Sequence, residues 1–408
     1  MPSLLSIPAV EALLSGGGSR FISLYGNEVK LYIGVGVAES FTSWRVGSGE
    51  WVEFQRWLDG MRGRLIFGYT SFSAACSRED DFTPAIRFVV PQSIFEVSEF
   101  GLREVSSNTS TTYRAFEGVS PAESLGDAES VVRFPSLADW EADRRGGGAD
   151  CYKRNVAVAI EAIRSRMVAS VTIARRIPVG GAIDILGTLR QQRLMNSLSG
   201  FQYFWRDADV CFVGANPELL AIGGVGAFDT YKLSGTQERV SCLEEDEKFR
   251  AELVSGTRCR FEHDCSVKSL AKRLRAIGDV AVGVPAVVDW GNLRHLSTRF
   301  RTLPGRGLRV VDIIRSVLPH GCAPESSGFS LIRSLEDCSR GPYYGLVGVV
   351  HGDGSFQFTQ NIRSVISCAG CVFGYVGAAV TRNSTPELEL AETNLKAANT
   401  ALVVDTSA

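Results

Sequence analysis

The sequence predicts an α+β fold with extensive antiparallel sheet. Strand-like runs follow one another through tight turns, above all Gly345–Val350 and Ser355–Ile366 on either side of His351-Gly352-Asp353-Gly354. Helical patterns come in separate blocks instead of alternating with strands. The 408 residues are 45% apolar and 22% charged, enough to bury a large core and too apolar for a disordered chain.

In chain order, Phe21–Leu24, Val29–Val35, Arg64–Thr70 and Ala85–Val90 are short runs rich in β-branched and aromatic residues, which reads as strands. Residues 104–150 are rich in Ser, Thr, Glu and Asp and end near Arg144-Arg145-Gly146, which reads as a connecting segment. Tyr152–Arg166 places Val156, Ala159, Ile160 and Ile163 at helical spacing, and Val168–Ile177 follows as a strand. Phe201–Trp205 and Val210–Val213 read as strands joined by a polar turn. Glu244–Arg275 is a long amphipathic helical region, with an interruption expected near Ser255-Gly256. Cys371–Val380 is a further strand. A last helix is expected from about Pro386 to Leu402, with Pro in its first turn and Ser384 or Thr385 as N-cap.

The charge balance narrows the function classes. Lys plus Arg is 43 and Asp plus Glu is 45, so no excess positive charge exists to meet a phosphate backbone, and no nucleic-acid partner is expected. The longest weakly polar runs reach about half of the roughly 20 residues a membrane helix needs, so no membrane association is expected. The first residues carry Glu11 and no basic residue before Arg20, unlike a secretory signal, and the expected location is cytoplasmic. Ten cysteines are too dilute for a disulfide scaffold and are expected as thiols. Cys368 and Cys371 flank Ala369-Gly370, which reads as a hairpin turn; a zinc site would need two further ligands.

Several clusters bear chemistry. Glu389, Glu392 and Lys396 share one helix face. Two close carboxylates call for a cation, and Mg²⁺ suits them, although a solvated charged face has the same spacing. Glu262-His263 follows Arg258 and Arg260 in the long helical region, where surface charge is the plain alternative. Glu218 sits in Gly214-Ala215-Asn216-Pro217-Glu218, a tight turn that can hold a carboxylic acid rigid and partly desolvated. In Leu233-Ser234-Gly235-Thr236 the glycine lets a ligand approach the backbone. Arg363 ends a strand-like run, where it is either salt-bridged or waiting for an anion. Tyr343 lies in a glycine-rich turn, and Gly377-Ala378-Ala379 ends a strand in small residues.

Read in order, GANPELL, LSGT, EH in a long helix, LRHLST, RGPYYGLVG, NIRS, GYVGAAV and PELELAETNLK resemble the chorismate-utilising enzymes, a family that includes anthranilate, aminodeoxychorismate, isochorismate and salicylate synthases. The resemblance covers Tyr152 to the C-terminus. Upstream, RLIFGYTSFSA and FTPAIRFVVPQ resemble most the salicylate synthase branch. It implies large antiparallel sheets forming a sandwich flanked by helices. The pattern along the chain gives an N-terminal strand-rich lobe (1–103), a polar connecting segment (104–150) and a further lobe (151–408); the resemblance makes the last a chorismate-binding catalytic lobe and the whole one structural domain. The implied activity is that of a lyase or isomerase on chorismate or isochorismate, eliminating the C4 hydroxyl and releasing pyruvate, in secondary metabolism. By the same resemblance Glu218 matches the general acid, Glu262 and Glu392 direct Mg²⁺ ligands, and Glu389 a water-mediated one. Tyr343 and Arg363 match the holders of a substrate carboxylate. Lys396 and the backbone at Gly377 match further anion binders, Gly235 and Thr236 the turn beside the ring, and His295 the active-site histidine.

The sequence departs from this pattern. Ser170 stands where the isochorismate and salicylate synthases carry a water-activating lysine, and Ser234 where the aminodeoxychorismate branch has a lysine. Cys259 replaces one of four carboxylates around Mg²⁺, which weakens the metal site. The loop after Pro319 is shorter, and Ala379 replaces a glycine. Two further activities are therefore open: another pericyclic reaction, such as a cycloaddition, on a different small molecule without Mg²⁺, or amine transfer to aminodeoxyisochorismate or anthranilate with ammonia from a separate amidotransferase.

Overall fold

The computed structural model describes residues 8–25, 31–76, 83–98, 101–105, 148–179, 182–196, 201–207, 210–291, 293–336, 339–368, 371–398, 400 and 404–405. Most of the segment 104–150 and the tip of the Cys368–Cys371 turn lie outside them.

Two large antiparallel sheets dominate. The first runs, in spatial order, through strands Cys322–Ala323, Ser170–Val179, Cys371–Val380, Ser364–Cys368, Val210–Asn216, Phe201–Asp207, Arg20–Tyr25, Leu31–Val35, Ser93–Ser98 and Gly101–Val105. The second runs through Gly278–Val282, Leu293–Pro304, Ala227–Glu238, Leu219–Gly224, Phe356–Gln360, Leu346–Val350, Ile66–Thr70, Ile86–Val90 and Glu39–Ser43, with Ala286–Trp290 also on Leu293–Pro304. Strands from the first hundred residues enter both sheets: Arg20–Tyr25 pairs with Phe201–Asp207, and Ile66–Thr70 with Leu346–Val350.

Alternation fills the space between the sheets with rings. Phe21, Tyr203, Trp205 and Phe212 of the first sheet meet Phe67 and Tyr69 of the second in one buried cluster. The Tyr69 and Trp205 rings pack edge to face at 5.0 Å. Helices cover the outer faces. Ala149–Arg164 buries Val156, Ala159, Ile160 and Ile163 over the end of the first sheet. Ser48–Gly60, Thr257–Arg275 and Val310–Val317 lie on the second. Among the described residues no helix is long and apolar enough to cross a membrane.

The structure refines four sequence expectations. The long helical region is two helices, Leu243–Ser255 and Thr257–Arg275, broken at Gly256, whose φ and ψ are extended. Thr385 caps the last helix, its Oγ1 accepting from the Leu388 N–H, and that helix spans Pro386–Ala398. Ser355–Ile366 is not one strand. Phe356–Gln360 belongs to the second sheet and Ser364–Cys368 to the first, and Arg363 between them has a φ of 54°. A left-handed residue ends a pleat, and here it turns the chain from one sheet to the other. The first hundred residues, read as mostly strands, also hold the helices Pro8–Ser15 and Ser48–Gly60.

Val210–Asn216 makes the matching crossing in the other direction. It leaves the first sheet at Pro217-Glu218 and enters the second as Leu219–Gly224. The crossings are bonded to each other: Gln360 N–H donates to the Glu218 carbonyl at 3.2 Å, and Ala215 N–H to that of Arg363 at 3.4 Å. Glu218 and Arg363 are thereby fixed at the junction of the sheets.

Candidate active site

A cleft opens at this junction. Its lining includes Glu218, Gly235, Thr236, Glu262, His295, Tyr343, Arg363, Gly377 and Lys396, which brings together nine of the residues singled out by sequence; Glu389 and Glu392 lie behind it, buried on the helix that carries Lys396.

Arg363 and Lys396 form the wall on the first sheet. Arg363 is buried, and Nη1 donates to the Lys396 carbonyl at 2.9 Å. Burial pulls its guanidinium down to about 10, still charged at neutral pH. Lys396 Nζ donates to the Gly377 carbonyl at 2.9 Å and lies 2.8 Å from Glu392 Oε1. A Cβ at Gly377 would stand 3.2 Å from Tyr343 Oη, so the missing side chain makes room for that hydroxyl. Tyr343 stacks on Tyr375 with centroids 5.0 Å apart. Its hydroxyl is pushed well above the usual tyrosine range by burial, so it remains a donor.

Gly235 shapes the next corner. It has a φ of 64° and sits at a bulge in the pairing of Ala227–Glu238 with Leu293–Pro304. The bulge turns its carbonyl toward His295, whose Nδ1 lies 3.0 Å away. A carbonyl only accepts, so Nδ1 carries the proton and Nε2 the lone pair. His295 is pulled down to about 3 by burial first, then by Arg363. It is neutral, and Nε2 is a buried acceptor with no hydrogen-bond donor on it. Thr236 Oγ1 stands 3.4 Å from Nδ1.

Glu218 carries a feature that motif reading missed. Its carboxylate forms an ion pair with Lys232 Nζ, and both line the cleft. Burial is the largest influence on the Lys232 ammonium and acts to lower it, but the charge and hydrogen bond of Glu218 together with Tyr344 outweigh it and the net shift is upward. Lys232 is therefore held as an ammonium beside Glu218 at this end of the cleft. The signal was available: Phe228, Thr230 and Lys232 lie on one face of a strand, and the first two are fully buried.

The contact between Ser234 and His263 is the second feature that motif reading missed. Its Oγ is 2.7 Å from His263 Nδ1, and His263 Nε2 is 2.7 Å from Thr298 Oγ1. The imidazole bridges two hydroxyls and is pulled down to about 4 by burial and by Lys232.

Glu262, Glu389 and Glu392 are buried carboxylates on two helices. Their all-oxygen chemistry fits a hard divalent cation such as Mg²⁺, which takes one or two carboxylates and fills its shell with water and ligand oxygens. Among the described residues no three His, Cys, Asp or Glu side chains converge as a metal-binding group. Cys259 is packed in a small apolar cluster with Leu253 and Leu296. Ser170 and Ala379 line the cleft.

The two-sheet fold is shared with solved isochorismate and anthranilate synthases. The fold superposes on menaquinone-specific isochorismate synthase from Escherichia coli with a TM-score of 0.73, at 19% identity over 98% of this chain and 90% of that one. Anthranilate synthase component I from Streptococcus pneumoniae gives 0.69, at 19% identity over 95% and 93%. The chain belongs to the chorismate binding enzyme family, whose sequence model matches residues 20–401. Curated relatives include anthranilate synthase component 1 from Saccharolobus solfataricus, 28% identical over 62% of this chain and 62% of that protein. Salicylate synthase from Mycolicibacterium paratuberculosis is 27% identical over 66% of this chain and 60% of that protein. The chain thus spans about three-fifths of the length of these two relatives.

Proposed function

We propose that this protein is a salicylate-synthase-like enzyme acting on chorismate or isochorismate, with release of pyruvate as its main step. The observation that carries this reading is the wall of Arg363, Tyr343 and Lys396 facing His295 and the Glu218–Lys232 pair across one cleft. Membership of the family and the likeness to a salicylate synthase support it.

Arg363 and Tyr343 bind and orient a substrate carboxylate, with Lys396 adding a second positive charge. The neutral His295 accepts a substrate hydroxyl at Nε2. Lys232 holds the proton available to a departing oxygen, and Glu218 balances its charge. Glu262 and Glu392 would hold Mg²⁺ directly and Glu389 through water, and the ion would supply positive charge to the substrate's acid groups. Pyruvate loss from isochorismate is pericyclic: the ring hydrogen at C2 moves to the enolpyruvyl methylene carbon, the ether C–O bond breaks, and the ring becomes aromatic. It needs orientation and cations near the ether oxygen, and no base. That suits a cleft with Ser170 where the water-activating lysine is expected.

Incubation with chorismate, and separately isochorismate, plus Mg²⁺ and chromatography for salicylate and pyruvate tests this. Release of both products from isochorismate is expected. No consumption of either substrate overturns the reading. Turnover of chorismate only with high ammonium assigns the amine-transferring alternative and its amidotransferase partner. The apolar packing of Cys259 favours a second reading, another pericyclic reaction on a different acid that proceeds without Mg²⁺.

A further inference from the structure

The cleft holds a positive group that the reaction above does not use. Arg273, on Thr257–Arg275, lines the side of the cleft formed by the second sheet and its helices. Its Nη1 donates to the Leu318 carbonyl, and its Nε is buried with no hydrogen-bond partner. No carboxylate pairs with it among the described residues; Glu325, the acid whose charge acts on it, is bonded to His320 Nδ1 at 2.5 Å. Leu220, Leu270 and Val317 also line the cleft. Lys232, on the neighbouring strand Ala227–Glu238, feels its charge. An arginine that lines a cavity, spends Nη1 on a backbone carbonyl and has no carboxylate partner among the described residues can receive an anion through the part of its guanidinium that the cavity reaches.

We propose that Arg273, supported by Lys232, is a second anion-binding pole of the cleft, and that the ligand carries a carboxylate or similar acid group at the end away from the acid held by Arg363. The location of the first acid rests on the proposed role of Arg363; the pole itself rests on Arg273. Its source is either the second carboxylate of a chorismate-type ring or an acid on a longer arm of a larger substrate. Either way the pole selects dianions whose charges lie apart, and rejects ligands with an apolar group at the far end.

Calorimetric titration of the full chain with benzoate, terephthalate and chorismate tests this. Terephthalate, with acids at both ends of the ring, is expected to bind at least about tenfold tighter than benzoate. R273Q is expected to erase that ratio, R273K to keep part of it, and R363Q to weaken benzoate and terephthalate alike. Melting curves of the three variants show whether each is folded. A tenfold loss of chorismate affinity in R273Q names the ring's own second carboxylate as the source; a loss confined to terephthalate names a longer substrate. Equal binding of the two probes by the unaltered protein, binding of neither, or an unchanged ratio in R273Q overturns the pole. Absence of chorismate turnover with the ratio intact overturns the reaction and leaves the pole standing.

Discussion

Lys232 and Glu218 form an ion pair inside the cleft, joining the strand Ala227–Glu238 to the turn where the chain passes between the sheets. The pair holds the Lys232 ammonium in a buried place. Replacing Lys232 with methionine strands a buried carboxylate. The variant is expected to lose on the order of 3 kcal/mol of stability at pH 7, read by urea denaturation. Lys232 is shifted upward, so its contribution is complete below the ordinary lysine range. It is lost as pH rises through the folded value, which lies above the ordinary lysine range. K232M should therefore lose its disadvantage in strongly alkaline buffer.

His295 sets an acid limit. Held neutral in the fold and pulled down to about 3, it binds fewer protons folded than unfolded below the ordinary histidine value. Its contribution is present above about pH 6.5 and erodes as pH falls toward 3. At pH 5 the loss is about 2 kcal/mol. Denaturation midpoints of the native protein and H295Q, compared from pH 7 to pH 5, should converge. The His295 ring resonances should not titrate between pH 5 and 8.

Arg363 is expected to govern substrate capture. R363Q should lower kcat/KM about 100-fold on whichever ring acid is turned over, and R363K should recover only a small part, because lysine lacks the planar fork. Steady-state kinetics check both.

Glu392 gives a metal-dependence test. A chelator should abolish a Mg²⁺-assisted turnover, and E392Q should raise the Mg²⁺ needed for half-maximal rate by about tenfold or more. A rate unaffected by chelator points to the metal-free reading.

Gly235 joins backbone strain to the site. A Cβ there would meet Leu253 Cδ1 at 3.1 Å and Cys259 Cβ at 3.2 Å, on a backbone with a φ of 64°. G235A is expected to cost about 1–2 kcal/mol. It should also lower the rate, because the displaced carbonyl no longer fixes the His295 tautomer.

The sequence showed much of this, for reasons that can be located. Thr385, the break at Gly256 and the hairpin at His351–Gly354 were legible because each is a local rule of backbone chemistry. Cys368 and Cys371 face each other as the closing pair of adjacent strands, as a turn at Ala369-Gly370 requires. The sheet change at Arg363 was hidden, since Phe356–Ile366 alternates as if it were one strand and only the partners of its two halves differ. Most site residues could be named from ordered motifs. Lys232 and Arg273 could not, because each stands outside the motifs; strand alternation alone pointed Lys232 inward, and Arg273 gains meaning only when a helix and strands distant in sequence face the same space.

The early entry of Arg20–Tyr25 and Ile66–Thr70 into the two sheets has a practical outcome for dissection. A truncation that keeps the motif-bearing region and discards the first hundred residues would expose the hydrogen-bonding margins of Phe201–Asp207 and Leu346–Val350. Such bare margins recruit other chains, so the trimmed protein should self-associate instead of yielding a minimal working unit.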